Sequence, residues 1–263
     1  MKKRYNEHFV IPDTQVKKGV PLTHLTAAGN YIVDKQPDVI VHLGDHWDMP
    51  SLSSYDQGTK RAEGARYKDD IVAGIIGMER LMAPIWEYNS KRAAQKMKQY
   101  KPRMVFLIGN HEQRVERHVN AFPVLEDTLS YDSFQLDEMG WEVHDFLETV
   151  DIDGILYSHF FPRGANGRIV QTRRGCPSAR VQVQREMQSC TAGHQQGLDW
   201  HAHQTGNTIK FGLIAGSFYQ HEEHYLSPQG TAYWRGCVYK HEVRNGLYDP
   251  MMLSLDYLLT NWL

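Results

Sequence analysis

Two short apolar runs in this chain stop at the same punctuation. Asp38–Leu43, built around Val39-Ile40-Val41, ends at Gly44-Asp45, and Met104–Ile108 ends at Gly109-Asn110. Runs of this length, rich in Val and Ile and closed by glycine, read as buried strands. In open α/β sheets, ligands bind beyond the carboxyl ends of the strands, and both runs place a metal-binding type of side chain there. The constraint extends to three more segments. His8-Phe9-Val10-Ile11-Pro12 runs into Asp13, Leu156-Tyr157-Ser158 into His159, and Cys190-Thr191-Ala192 into Gly193-His194. Five such ends can converge on one site. A glycine before Asp45, Asn110 and His194 is expected to permit the sharp turn that aims each side chain back.

Around these strands the pattern is α/β. Leu22–Gln36 has helical periodicity and stops at Pro37. Residues 60–101 predict two helices, 66–82 and 84–100, with Pro84 opening the second. Trp141–Phe146, Thr149–Ser158, Thr208–Gly216, Trp234–Val243 and Asp249–Leu258 read as strands, with turns at Asp153-Gly154 and Asn245-Gly246. Pro177–Gln188 reads as a helix. With no repeat or Gly/Ser linker, residues 1–263 form a single domain with a helical insertion at 60–101. No run approaches the roughly 20 apolar residues of a membrane span, and no apolar segment follows the charged start, Met1-Lys2-Lys3-Arg4, as a secretory signal requires. Cys176, Cys190 and Cys237 are odd in number and lack C-x-x-C spacing, which argues against a disulfide framework and fits a cytoplasmic protein.

The order Asp13-x-Gln15, Gly44-Asp45-x-x-Asp48, Gly109-Asn110-His111-Glu112, His159, Gly193-His194-x-Gln196 resembles the calcineurin-like metallophosphoesterase superfamily, whose pattern is D-x-H, G-D-x-x-D, G-N-H-[D/E], H, G-H-x-H. The match spans residues 13–196. The resemblance implies a four-layer αββα sandwich with two mixed sheets and a two-metal site at the sheet edges. It implies that Asp45 bridges two ions, that Asn110, His159 and His194 complete one shell, and that Asp13, Gln15 and Gln196 hold the other ion. His111, oriented by Asp48, would be the catalytic histidine beside the leaving group. Two ions about 3.5–4 Å apart stabilise the attacking and leaving oxygens and make hydroxide available near neutral pH.

This sequence departs from that pattern twice. Gln15 and Gln196 replace histidines that serve the same ion. An amide oxygen is harder and weaker than imidazole, so Mn or Mg is favoured over Zn, with one or two ions bound.

Formal net charge is only -2, yet two basic segments hide in that sum. Residues 60–103 hold 11 Lys/Arg against 5 Asp/Glu, and residues 163–185 hold six arginines and no acid. The second segment follows His159 and precedes Gly193-His194. Arg163, Arg168, Arg173 and Arg174, with Arg114 after the third motif, are therefore candidate substrate-binding residues able to track phosphates; a salt bridge with Glu116 or Glu112 is the alternative for Arg114. Trp47, Tyr55, Phe160, Phe161 and Trp200 are candidate base-stacking aromatics. The expected function is a metal-dependent phosphoesterase acting on phosphodiesters of DNA, RNA or nucleotides. A phosphomonoesterase, including a phosphoprotein phosphatase, is the alternative, and a non-catalytic scaffold is the rival from another class. His201-Ala202-His203 reads as a surface or strand-edge pair, with supply of the missing imidazole as the alternative, and His221-Glu222-Glu223-His224 reads as a solvated loop. His8, His24, His42, His118, His144 and His241 read as structural residues without partners.

Overall fold

The computed structural model describes residues 5–56, 58–162, 177–223 and 233–263. Strands β1 (Asn6–Ile11), β2 (Val39–His42), β3 (Arg103–Leu107), β4 (Glu142–His144), β10 (Gly236–Arg244) and β11 (Leu247–Ser254) form one sheet in the order β11-β10-β1-β2-β3-β4. Strands β5 (Val150–Ile152), β6 (Ile155–Tyr157), β7 (Ser189–Ala192), β8 (Leu198–Thr205) and β9 (Thr208–Ala215) form the other in the order β5-β6-β7-β9-β8. Both are mixed: β1–β2–β3–β4 and β6–β7–β9 run parallel, and the remaining pairs are antiparallel.

The strand pattern explains the layering. Successive side chains point to opposite faces, so Val10, Val41, Val105 and Leu107 meet Tyr157, Leu213 and Ala215 between the sheets. Phe9, Ile11, Ile40, Phe106 and Ile108 face the other way, onto helices α1 (Thr23–Lys35), α2 (Tyr67–Ala94) and α5 (Leu255–Trp262). Helix α3 (Arg114–Ala121) follows β3, and helix α4 (Ala179–Glu186) covers the second sheet, where Val183 packs on Cys190 and Ala192. The result is the expected αββα order. Strands buried on both faces are apolar throughout, which is why Val39-Ile40-Val41 does not alternate. The inter-sheet layer also contains a fully buried lysine. Lys240 Nζ donates to Thr191 Oγ1 at 2.6 Å and Tyr157 Oη at 3.1 Å, over the rings of Tyr157 and Tyr248.

Two boundaries differ from expectation. Residues 66–100 hold one long helix, not two, and Pro84 lies inside it. Proline removes one backbone bond and normally costs about 3 kcal/mol in a helix interior. Here the segment packs against α1 so closely that a Cβ on Gly29 would lie 2.3 Å from the Leu81 carbonyl and 2.9 Å from Pro84 Cγ. Burial of Met78, Leu81, Met82 and Ile85 holds the helix through the proline. The same burial makes α2 part of the main core. The strand expected over Asp249–Leu258 becomes helix at Leu255, because the Ser254 hydroxyl accepts the Tyr257 N–H at 3.2 Å and caps α5. Among the described residues, no helix is long and apolar enough to cross a membrane.

Candidate metal centre

The parallel strands of both sheets bring their carboxyl ends together. Asp13 follows β1, Asp45 follows β2, Asn110 follows β3, His159 follows β6 and His194 follows β7. Asp45, His159 and His194 each offer a ligand atom, all within 4.8 Å of one another. His159 Nδ1 donates to the Leu43 carbonyl at 2.6 Å, which leaves Nε2 as the lone-pair nitrogen. That nitrogen lies 3.0 Å from Asn110 Oδ1 and 3.4 Å from Asp45 Oδ1. Burial pushes His159 below its ordinary value, and Asp45 only partly offsets this. A ring-nitrogen lone pair facing two oxygens is repulsive unless a cation sits among them.

The first strand adds to this arrangement. Asp13 Oδ1 accepts the His194 N–H at 2.9 Å, whereas Asp13 Oδ2 and Gln15 Oε1 are buried with no hydrogen-bond partner among the described residues. Burial, then the charge of Asp45, pushes the Asp13 carboxyl well above the usual carboxylate range. Asp45 itself is held below that range: burial opposes ionisation, but His111, His159 and His194 outweigh it. Unpartnered buried oxygens beside paired carboxylates fit a hard divalent ion. Gln196 Oε1 accepts the Tyr219 hydroxyl at 3.0 Å, so that amide is oriented from outside the cluster.

The backbone shows how the turns are made. Gln15, Asp45, His194 and Gln196 all have left-handed φ, between 45° and 63°. Such conformations cost of order 1 kcal/mol each at a non-glycine residue and gather at functional sites. Of the three glycines from which the sequence predicts the turns, Gly44 is left-handed (φ 90°), whereas Gly109 and Gly193 are not. Gly109 is needed for space: a Cβ there would lie 2.3 Å from Asp45 Oδ1.

Beside the cluster, His111 Nδ1 lies 2.9 Å from both the carboxylate Oδ1 and the carbonyl of Asp48, and Nε2 lies 3.8 Å from Asp45 Oδ2. Burial and Arg114 pull His111 down, yet Asp45 and Asp48 outweigh them and raise it above its ordinary value. Asp48 is held well below the carboxylate range despite burial, through His111, Lys17 and Arg114. Lys17 Nζ bonds Asp48 Oδ2 at 2.9 Å and both Glu223 oxygens at 2.7 and 2.8 Å. Glu223 in turn accepts His221 Nε2 at 2.6 Å. The segment read as a solvated loop is therefore buried at Glu223, where the carboxylate supports the site; its His224 lies outside the described residues.

Glu112, the last residue of the third motif, is a buried clamp. Its carboxylate accepts Asp45 N–H and Gly109 N–H at Oε2, both 2.9 Å, and Trp47 N–H at Oε1, 2.8 Å. It ties the second motif to the third. Burial and Asp45 push it up to about 7 against those donors.

Other expectations sort by burial. Among the described residues Arg114 does not form the alternative salt bridge with Glu116 or Glu112; its Nη1 donates to the Asp48 and Met49 carbonyls at 2.6 and 3.0 Å, while Nη2 approaches His111 Nε2 at 3.4 Å. Arg163, Arg168, Arg173 and Arg174, and also Cys176, lie outside the described residues. Trp47, Phe160 and Phe161 are buried and closed to bases, because each fills the core beneath the strand ends; Tyr55 (81% exposed) and Trp200 (40%) are open. His201 and His203 lie on edge strand β8. His46 packs, bonded to Thr14 Oγ1 at 2.7 Å and to the Gly74 carbonyl at 2.9 Å. The histidines read as lacking partners have them: His8 meets Tyr157 and Asp153, His24 meets Gln220, and His144 meets Glu142 and Glu148.

The fold and this cluster define a two-sheet α/β protein with a candidate metal centre at converging strand ends. The chain is 30% identical over 199 residues to the Gene 54 protein of Mycobacterium phage L5, covering 73% of this chain and 70% of that protein. It is 29% identical over 198 residues to the Gene 54 protein of Mycobacterium phage D29, with the same coverage. The chain belongs to this Gene 54 protein family, whose name states no activity. No family model matches it.

Proposed function

We propose that this chain is a divalent-metal-dependent phosphoesterase of the calcineurin-like kind, acting on phosphodiesters of nucleic acids or nucleotides. The observation that carries the reading is the His111–Asp48 pair beside Asp45, at the rim of the Asp45–His159–His194 cluster. A metal-binding scaffold has no need of a third, carboxylate-held histidine beside Asp45.

Asp45, Asn110, His159 and His194 would hold one ion, and Asp13, Gln15 and Gln196 a second that shares Asp45. Mn or Mg suits the oxygen-rich donor set better than Zn. Bound there, such ions polarise a phosphoryl oxygen and acidify a bound water. The chain's own part is positional and acid–base. Asp48 fixes the His111 ring through Nδ1 and favours the imidazolium, whose Nε2–H faces the site to protonate the leaving oxygen. Arg114 braces the Asp48–Met49 carbonyls and keeps the dyad in register.

The test is hydrolysis of mono- and bis-nitrophenyl phosphate with Mn, Mg and Zn, alongside His111→Ala. Metal-dependent turnover of the diester, reduced by about 10²–10⁴-fold in the variant, is expected. No turnover with any metal, or unchanged turnover in the variant, overturns the enzyme reading. Turnover of the monoester alone overturns the phosphodiester assignment.

A further inference from the structure

The basic stretch at the end of α2 is not used by the metal centre. Residues 88–103 contain six cations (Lys91, Arg92, Lys96, Lys98, Lys101, Arg103) and no Asp or Glu. Two of these are committed: Lys91 pairs with Glu87 at 2.7 Å and Arg103 with Glu142 at 2.7 Å. The other four line a cleft of about 810 Å³ with Tyr88 and Asp38. Arg92 lies over the Tyr88 ring at 5.5 Å and donates through Nε to the Lys98 carbonyl. Lys96, Lys98 and Lys101 are exposed and form no ion pair among the described residues. The single acid, Asp38, accepts the Glu7 N–H at 2.9 Å.

The walls of this cleft are fixed before any ligand arrives. Asn89 and Tyr100 exchange two hydrogen bonds of 2.8 Å, Tyr100 Oη donates to the Pro37 carbonyl at 2.7 Å, and Gln36 Nε2 donates to Tyr88 Oη at 2.6 Å. Helix α2 ends in a left-handed turn at Lys96 (φ 54°), which folds Lys98 and Lys101 back beside Arg92. Cations in the last helical turn are ordinary complements of the helix dipole. Lys98 and Lys101 lie beyond that turn, so the dipole does not account for them.

We infer that this cleft is a second nucleic-acid contact, binding the phosphate backbone of a DNA duplex. The assignment of DNA rests on the phosphodiesterase reading of the metal centre. The cleft is lined from the segments preceding β2 and β3, whereas the candidate ligands follow those strands, so the two lie at opposite ends of the sheet. At about 3.3 Å per residue the separation is roughly 20 Å. A small phosphate ester cannot touch both. A duplex, with a charge every ~1.7 Å of its axis, can span that length. Lysines and an arginine at fixed walls hold such a backbone without reading its sequence.

The experiment is fluorescence anisotropy with a labelled short DNA duplex in chelator, across a salt series, so that no turnover is involved. The variants are Lys96→Glu/Lys98→Glu/Lys101→Glu and the neutral Lys96→Gln/Lys98→Gln/Lys101→Gln. Each is also assayed for metal-dependent hydrolysis of bis-nitrophenyl phosphate. Binding weakened about tenfold or more, with the salt slope shallower by roughly 2–3 for three lost contacts, supports the cleft. Unchanged hydrolysis of the small ester shows that the site itself is intact. Wild-type affinity and slope in both variants overturn the inference, as does a wild-type chain that does not bind duplex at low salt. Absence of small-ester hydrolysis in the wild type fails the phosphoesterase reading separately, because duplex binding is read without it.

Discussion

Lys17 Nζ stands 2.9 Å from Asp48 Oδ2, while the other oxygen of that carboxylate stands 2.9 Å from His111 Nδ1. The lysine thus occupies the side of Asp48 that His111 does not. It is held there by Glu223, which is 3% exposed. Lys17→Met leaves Asp48 and Glu223 facing one another without a cation. We expect a loss of about 1–3 kcal/mol in urea unfolding and a fall in kcat larger than any change in KM, with Lys17→Arg recovering much of both. Equal stability and kcat in Lys17→Met would show that the contact contributes nothing.

Glu112→Gln tests the clamp between the two motifs. An amide has one acceptor oxygen where three N–H groups need two, and its NH₂ would face a donor. The expected cost is about 1–3 kcal/mol in stability, with about 10–100-fold weaker Mn affinity by calorimetry, the usual effect of losing an outer-shell partner. Wild-type Mn affinity in this variant would remove Glu112 from the site's support.

Placing imidazoles at positions 15 and 196 should move the metal preference. Gln15 and Gln196 have φ 45° and 60°, a region where histidine is among the better tolerated residues. Gln15→His/Gln196→His is expected to raise Zn affinity relative to Mn in competition titrations. An unchanged Zn-to-Mn ratio would show that these positions do not face the ion.

Gly74→Ala tests the packing below the second motif. Its Cβ would fall 1.8 Å from Trp47 Nε1, within the core of α2. Overpacking of this kind costs about 1–3 kcal/mol or more. Because Trp47 adjoins Asp48, kcat should fall as well. A melting temperature equal to wild type would show that α2 yields freely.

Buried histidines predict acid sensitivity. Burial pushes His8 and His46 down to about 4 and His24 to about 3, and lowers His42 further below its ordinary value. In the unfolded chain each titrates near 6.5. Between these values the unfolded chain binds the extra protons, so stability present above pH 6.5 is lost as pH falls toward 4. His159 is lowered in the same way, while Glu112, pushed up to about 7, Asp13, His111 and His144 are raised and act in the opposite sense; the fully buried histidines, which must charge inside the core, are expected to prevail. Thermal melts should show a lower midpoint at pH 5 than at pH 7. Equal midpoints would contradict the balance.

Much of this protein was legible in one dimension, and for a local reason. Strand identity depends on short-range pattern and glycine punctuation, so the segments ending at Asp13, Asp45, Asn110, His159 and His194 could be read directly. Their order also carried the family resemblance. The sequence determined which side chains stand at strand ends, and that Gln15 and Gln196 stand where the pattern it resembles has histidine. Tertiary structure decided what those side chains meet. Pro84 stays within a helix because α1 packs over it. Glu223, 206 residues from Lys17, becomes part of the His111 support. Glu112 becomes a clamp, and Trp47 becomes core. Hydrogen-bond partners and burial depend on atoms distant in the chain, and no local pattern encodes them.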